Sequence, residues 1–199
     1  GGGGGGVTAL ALALLIPWLV GALLLVVDGR RRVVGWIAVA TVVVNLAALV
    51  VLAARVLPDG SERIVTGGWE GGIGIVLEAD PLGVTFALLS SVVVLSALVH
   101  EVLDGVRSRG FPALVVLATT GLTGLFLTAD IFNFYVFFEL SMIAAYVLTA
   151  YGDDRHQLGA ALVFAVVNLL GSFLFLIAVA ATYHVTGTLA MADIAARMS

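Results

Sequence analysis

Cysteine and lysine are both missing from this sequence, and charge of either sign is scarce. Without cysteine there are no disulfides, no thiolate metal sites and no iron–sulfur clusters held in the usual way. Electron transfer through this chain, and a cofactor to carry it, are therefore not expected. Without lysine, all nine basic residues are arginines, so a mechanism that needs an ammonium group must find it elsewhere. The three histidines, His100, His156 and His184, lie far apart, which gives a metal cluster little support. Basic residues never cluster with aromatics as nucleic-acid binding favours, so nucleic acid is excluded as a partner.

What is abundant is apolar. The chain of 199 residues is 61% hydrophobic and only 11% charged, with a mean hydropathy of +1.17, whereas about a quarter of the residues of a soluble domain are charged. Lipid is the expected solvent for most of it. Gly1 to Gly6 have neither the positive flank nor the cleavage site of a signal peptide. They read as an artefact or linker ahead of a membrane bundle over 7–199.

A hydrocarbon core of about 30 Å needs about 20 apolar residues per helix. Such runs occur at Val7 to Val27, Val33 to Leu57, Pro81 to Val99, Phe111 to Thr128, Ile131 to Tyr151 and Leu158 to Tyr183. The expected fold is thus an all-α integral membrane bundle of about six transmembrane helices. Only Ala129 and Asp130 separate the fourth and fifth runs, so these form a tight hairpin with Asp130 as N-cap. One uninterrupted helix there would be about 60 Å long, twice the membrane.

Arginines set the orientation. Arg30, Arg31 and Arg32 follow the first helix, Arg107 and Arg109 the third, and Arg155 the fifth. These loops share a side, taken as cytoplasmic, which puts the N-terminus outside a multi-pass protein of the cell inner (plasma) membrane. The triplet reads either as a topology signal or as a binding site for lipid phosphate. On the other side, Pro58 to Asp80 carries Asp59, Glu62, Glu70, Glu78 and Asp80 against Arg63 alone, and Ile64 to Leu77 holds two short β-prone runs around a glycine-rich turn, the pattern of a short extracellular β-hairpin. After the sixth span, Thr188 to Met198 reads as an interfacial helix with Thr188 as N-cap, leading toward a further span.

Glu139 stands out in this setting. It lies nine residues beyond Asp130, about 13 Å along the fifth helix and near the bilayer midplane. A charge there costs at least about 2.5 to 3.5 kcal/mol, so it should face protein or water and mark an ion path. Tyr135, Met142 and Tyr146 share its face at 100° per residue, and Asn168 and Ser172 share a face on the sixth helix with Phe164. These hydroxyl and amide groups either line a hydrated path beside Glu139 or simply join helices. Thr120 and Gly124 form a small-xxx-small pair for close packing. His100 and Glu101 end the third helix, where simple solvation is the better account and proton loading the alternative.

The run Phe126 to Leu140, with Asp130 and Glu139 at its centre, resembles the fourth-to-fifth helix junction of the D subunit of Mrp-type multisubunit Na⁺/H⁺ antiporters. Gly67-Gly68-Trp69 with Gly74-Ile75, Asn168-Leu169-Leu170-Gly171-Ser172 and Thr186-Gly187-Thr188-Leu189 resemble the same protein too. The motif around Glu139 is shared with a wider superfamily that includes the antiporter-like subunits of respiratory complex I and of membrane-bound hydrogenases. The resemblance implies a transporter subunit rather than an enzyme, with other subunits as partners and Na⁺ and H⁺ as transported ions. It also implies that Glu139 is the glutamate that pairs, in that family, with a lysine on a broken seventh helix. Because this chain has no lysine, it looks like the N-terminal portion of a longer subunit. A proton-translocating subunit of a redox pump, and a structural membrane subunit, stay open beside the antiporter reading.

Overall fold

Each long apolar run forms a helix. The computed structural model describes residues 3–66, 75–150 and 155–198. They form α1 (Gly3–Leu24), α2 (Arg32–Asp59), β1 (Glu62–Thr66), β2 (Ile75–Ala79), α3 (Pro81–Asp104), α4 (Phe111–Phe126), α5 (Ile131–Thr149), α6 (Arg155–Thr186) and α7 (Met191–Met198). By length and composition α2, α3, α5 and α6 can cross a membrane, while the apolar stretches Leu10–Leu24 of α1 and Phe111–Phe126 of α4 are shorter. Gly3 to Gly6, set apart on the sequence, continue α1.

α1 packs on α2 and α4, α2 on α3, and α4 on α5, while α6 lies chiefly against α5. Leu10, Leu49, Leu52, Val84 and Leu127 fill one end of the four-helix core, and Leu24, Val42, Leu98 and Val116 fill the other. Successive helices therefore run back and forth between two ends. At one end β1 and β2 pair antiparallel, with Ile64 opposite Leu77. The glycine-rich turn expected at 67–74 lies outside the described residues. At the other end the α1–α2 and α3–α4 loops meet.

The centre of the bundle contains a polar staple that the sequence pattern does not announce. Pro17 lies inside α1 and has no N–H to give the carbonyl four residues back, that of Ala13. In hydrocarbon such an orphan must be satisfied by a neighbour. Fully buried Asn45 of α2 does this, its Nδ2 donating to the Ala13 carbonyl at 2.7 Å. The Asn45 Oδ1 in turn accepts from the Ser91 hydroxyl of α3 at 3.0 Å. Asn45→Leu should therefore leave two buried polar groups unpaired and cost about 1 to 3 kcal/mol each, less any relaxation. Denaturant unfolding in detergent checks this, and wild-type stability would show that the staple carries no weight.

Candidate functional site

The register of α5 is set at its first residue. Asp130 is 3% exposed, and its carboxylate accepts from the N–H groups of Phe132 and Asn133, both at 2.8 Å. It is the cap the sequence predicts. Burial pushes the Asp130 carboxyl above the usual carboxylate range, and the two N–H bonds pull the other way.

Around Asp130 the backbone is laced on both sides. Glu78 N–H donates to Leu127 O (2.9 Å) and Ala129 N–H to Val76 O (3.0 Å), while Ile131 N–H donates to Leu189 O (3.0 Å) and Met191 N–H to Ala129 O (2.9 Å). The α4–α5 junction is thus a short extended segment between β2 and the α6–α7 connection. This corrects the expected helix over Thr188 to Met198. Residues 188–190 are used as an extended partner, so α7 starts at Met191, and the Thr188 hydroxyl accepts from the Ala190 N–H in a local turn at 3.3 Å.

Below the junction, α5 lies very close to α4. A Cβ added at Gly121 would stand 2.7 Å from the Ser141 nitrogen and 2.9 Å from the Phe137 carbonyl oxygen, and one at Gly124 only 2.3 Å from the Phe137 ring. Gly124, which the sequence spacing picked out, makes the close approach together with Gly121, which it did not. Thr120 is buried and donates to the Val116 carbonyl of its own helix at 3.0 Å.

With one face of α5 held this way, another meets α6 through the polar residues singled out above. The Ser172 hydroxyl donates to a carboxylate oxygen of Glu139, and the Tyr135 hydroxyl lies 3.2 Å from the same serine oxygen. A serine hydroxyl has one proton; once it is given to Glu139, Tyr135 becomes the donor to Ser172. About two turns along α5 and one along α6, the Asn168 amide donates to the Tyr146 hydroxyl oxygen. Aromatic contacts brace both groups, Tyr135 stacking on Phe175 with centroids 6.0 Å apart and Tyr146 meeting Phe164 edge-on at 5.2 Å. Tyr135, Glu139, Tyr146, Asn168 and Ser172 therefore form one stripe along the α5–α6 contact.

Ser172 is buried and Glu139 half-buried. Among the described residues Glu139 makes no ion pair, whereas His100 lies 3.9 Å from the Asp104 carboxylate on the exposed end of α3. A groove of about 240 Å³, lined by Phe134, Phe138, Asn168, Gly171, Ser172 and Phe175, opens beside the Ser172 end of the stripe. Its walls are mostly aromatic, and its polar groups are those that already touch Glu139 and Tyr146. Among the described residues no group of three or more His, Cys, Asp or Glu side chains converges to hold a metal.

Residues 128–198 match the family described as NADH:quinone oxidoreductase/Mrp antiporter, TM. The Na⁺/H⁺ antiporter D subunit of Alkalihalophilus pseudofirmus is 34% identical over 190 residues, covering 94% of this chain and 38% of the relative. Among solved structures, the Mrp complex from Dietzia sp. DQ12-45-1b contains a chain similar to this one at a TM-score of 0.83 and 28% identity, over 96% of this chain and 39% of that one. Respiratory complex I from Thermus thermophilus contains another at 0.78 and 25%, over 94% and 39%. The chain thus spans less than two-fifths of the length of the proteins it resembles.

Proposed function

We propose, from a chain that is kin to the D subunits of Na⁺/H⁺ antiporters along nearly its whole length, that it forms part of the proton path of a multisubunit cation/proton antiporter. Glu139 is its intramembrane carboxylate, and Tyr135, Ser172, Asn168 and Tyr146 are the polar groups that continue the path along α5 and α6. The observation that carries this reading is the stripe itself: a carboxylate on an apolar helix, hydrogen-bonded to the neighbouring helix and flanked by further hydroxyl and amide groups. In a bilayer such a group is costly and by default marks an ion path. Na⁺ and H⁺ are the proposed transported ions, and other subunits complete the path. The likeness to a chain of respiratory complex I supports a second reading, the equivalent subunit of a redox-driven proton pump; the D-subunit kinship favours the first.

Ser172→Ala tests the stripe. It removes a hydrogen bond to a charged group, worth about 1.5 to 3 kcal/mol, and should slow cation-induced collapse of a pH gradient about tenfold in vesicles holding the assembled complex. Unchanged exchange would take the serine out of the path.

The proposed topology is six spans in the inner (plasma) membrane, with the N-terminus and the β1–β2 hairpin outside. Four of the helices meet the length requirement outright, and the alternation of ends supports the passage of α1 and α4 as well. Single cysteines at Ser61 and Ser108, introduced into this cysteine-free chain, should label from opposite sides of the membrane. Labelling of both from one side would refute the arrangement.

A further inference from the structure

The arginines that the sequence distributes over two loops belong, in the fold, to one corner. The Gly29 N–H donates to the Arg109 carbonyl at 3.0 Å, the Arg30 Nε to the Arg107 carbonyl at 3.1 Å, and the Arg109 Nη2 to the Val26 carbonyl at 3.4 Å. The loops touch backbone to backbone, since a Cβ at Gly29 would stand 2.3 Å from the Arg109 carbonyl oxygen. Arg30, Arg31, Arg32, Arg107 and Arg109 are all exposed around this junction. The guanidinium groups of Arg31 and Arg32 make no hydrogen bond or ion pair among the described residues. The nearby Asp28 carboxylate accepts the backbone N–H of Arg30 at 3.2 Å. The first turn of α2 holds no acidic residue, so the positive end of its dipole adds to the arginines.

Directly beside this charge the surface turns apolar. Val33, Trp36 and Ile37 stand exposed on one face of α2, the tryptophan one turn from Arg32, and Leu25 and Val26 are exposed at the end of α1. A basic corner, a tryptophan and an apolar band in that order are what the headgroup level of a membrane presents. We propose that this corner binds the phosphate of an anionic phospholipid, with Arg31 and Arg32 as its principal ligands and the acyl chains lying along Val33, Trp36 and Ile37. Guanidinium groups hold phosphate oxygens bidentately, and net negative charge distinguishes the ligand from a zwitterionic lipid with the same phosphate. The inference rests on the reading that these helices cross a bilayer, and not on the role of Glu139.

The test is native mass spectrometry of the full chain in detergent, titrated with phosphatidylglycerol, phosphatidylcholine or inorganic phosphate. The wild type should retain phosphatidylglycerol in preference to phosphatidylcholine. Arg31→Gln and Arg32→Gln should each weaken that retention about fivefold, and together on the order of thirtyfold, as for arginines near an anionic surface. Arg55→Gln, well along α2 from the corner, should leave it unchanged. Should the double variant unfold, the single variants decide. Equal retention by wild type and the Arg31 and Arg32 variants, or equal retention of the two lipids, would overturn the proposal. Displacement of phosphatidylglycerol by millimolar phosphate would overturn the lipid assignment and leave a plain anion site.

Discussion

Glu139→Gln is expected to reduce cation/proton exchange on the order of 100-fold in the assembled complex, the scale of losing a positioned proton-transfer group. Glutamine keeps the shape of the side chain and still accepts from the Ser172 hydroxyl, so the α5–α6 contact should survive and the complex should assemble. What it loses is the negative charge and the ability to take up and release a proton. Glu139→Ala should be as inactive, and Glu139→Asp should keep part of the activity, since it retains the charge with one methylene less reach toward Ser172. Cation-induced collapse of a pH gradient in vesicles reads the activity, and a native gel reads assembly. Full exchange by an assembled glutamine variant would leave the carboxylate a structural role only.

The next largest effect should come from a residue that has no side chain. Gly121→Val places a branched side chain where a Cβ alone would already stand 2.7 Å from the Ser141 nitrogen and 2.9 Å from the Phe137 carbonyl oxygen. Both are backbone atoms of α5, which a rotamer change cannot move. Overpacking of this kind costs about 1 to 3 kcal/mol, and more where backbone must yield. Because α5 is also tied at Asp130, it should tilt away from α4 and carry Glu139 with it, so exchange should fall together with stability. Gly159→Ala is the control: a Cβ there meets nothing within 4 Å, and the change should be neutral or mildly stabilising through helix propensity. Equal thermal stability of Gly121→Val and Gly159→Ala would show that the α4–α5 contact is looser than described.

The features legible in the sequence are those that the bilayer or a local rule imposes. Lipid demands long apolar helices, so the α2, α3, α5 and α6 runs could be read directly, and a lone aspartate between two apolar runs had to be the cap at Asp130. Helical periodicity placed Tyr135 and Tyr146 on the face of Glu139, and Asn168 with Ser172 on one face of α6. That these two faces meet is a result of packing, which the sequence alone did not supply. The same limit hid Asn45: a proline in one helix and an asparagine in the next each look ordinary until the fold sets the Asn45 amide 2.7 Å from the Ala13 carbonyl that Pro17 leaves unpaired. It also hid the close approach at Gly121, one residue along from Thr120 but about 100° around the helix. A proline within four residues of a carbonyl on an apolar helix, searched against lone amides on its neighbours, is the signal that would have found the staple.

The central claim is that Glu139 changes its protonation as ions move, and infrared difference spectroscopy of the assembled complex in membranes tests it most directly. A step in cation concentration at constant pH should produce a carboxyl C=O difference band in the wild type, sensitive to exchange into D₂O and shifted by Ser172→Ala, whose hydroxyl donates to this group. That band should be missing from Glu139→Gln. A band that persists unchanged in Glu139→Gln would place the titrating carboxyl elsewhere and contradict the account.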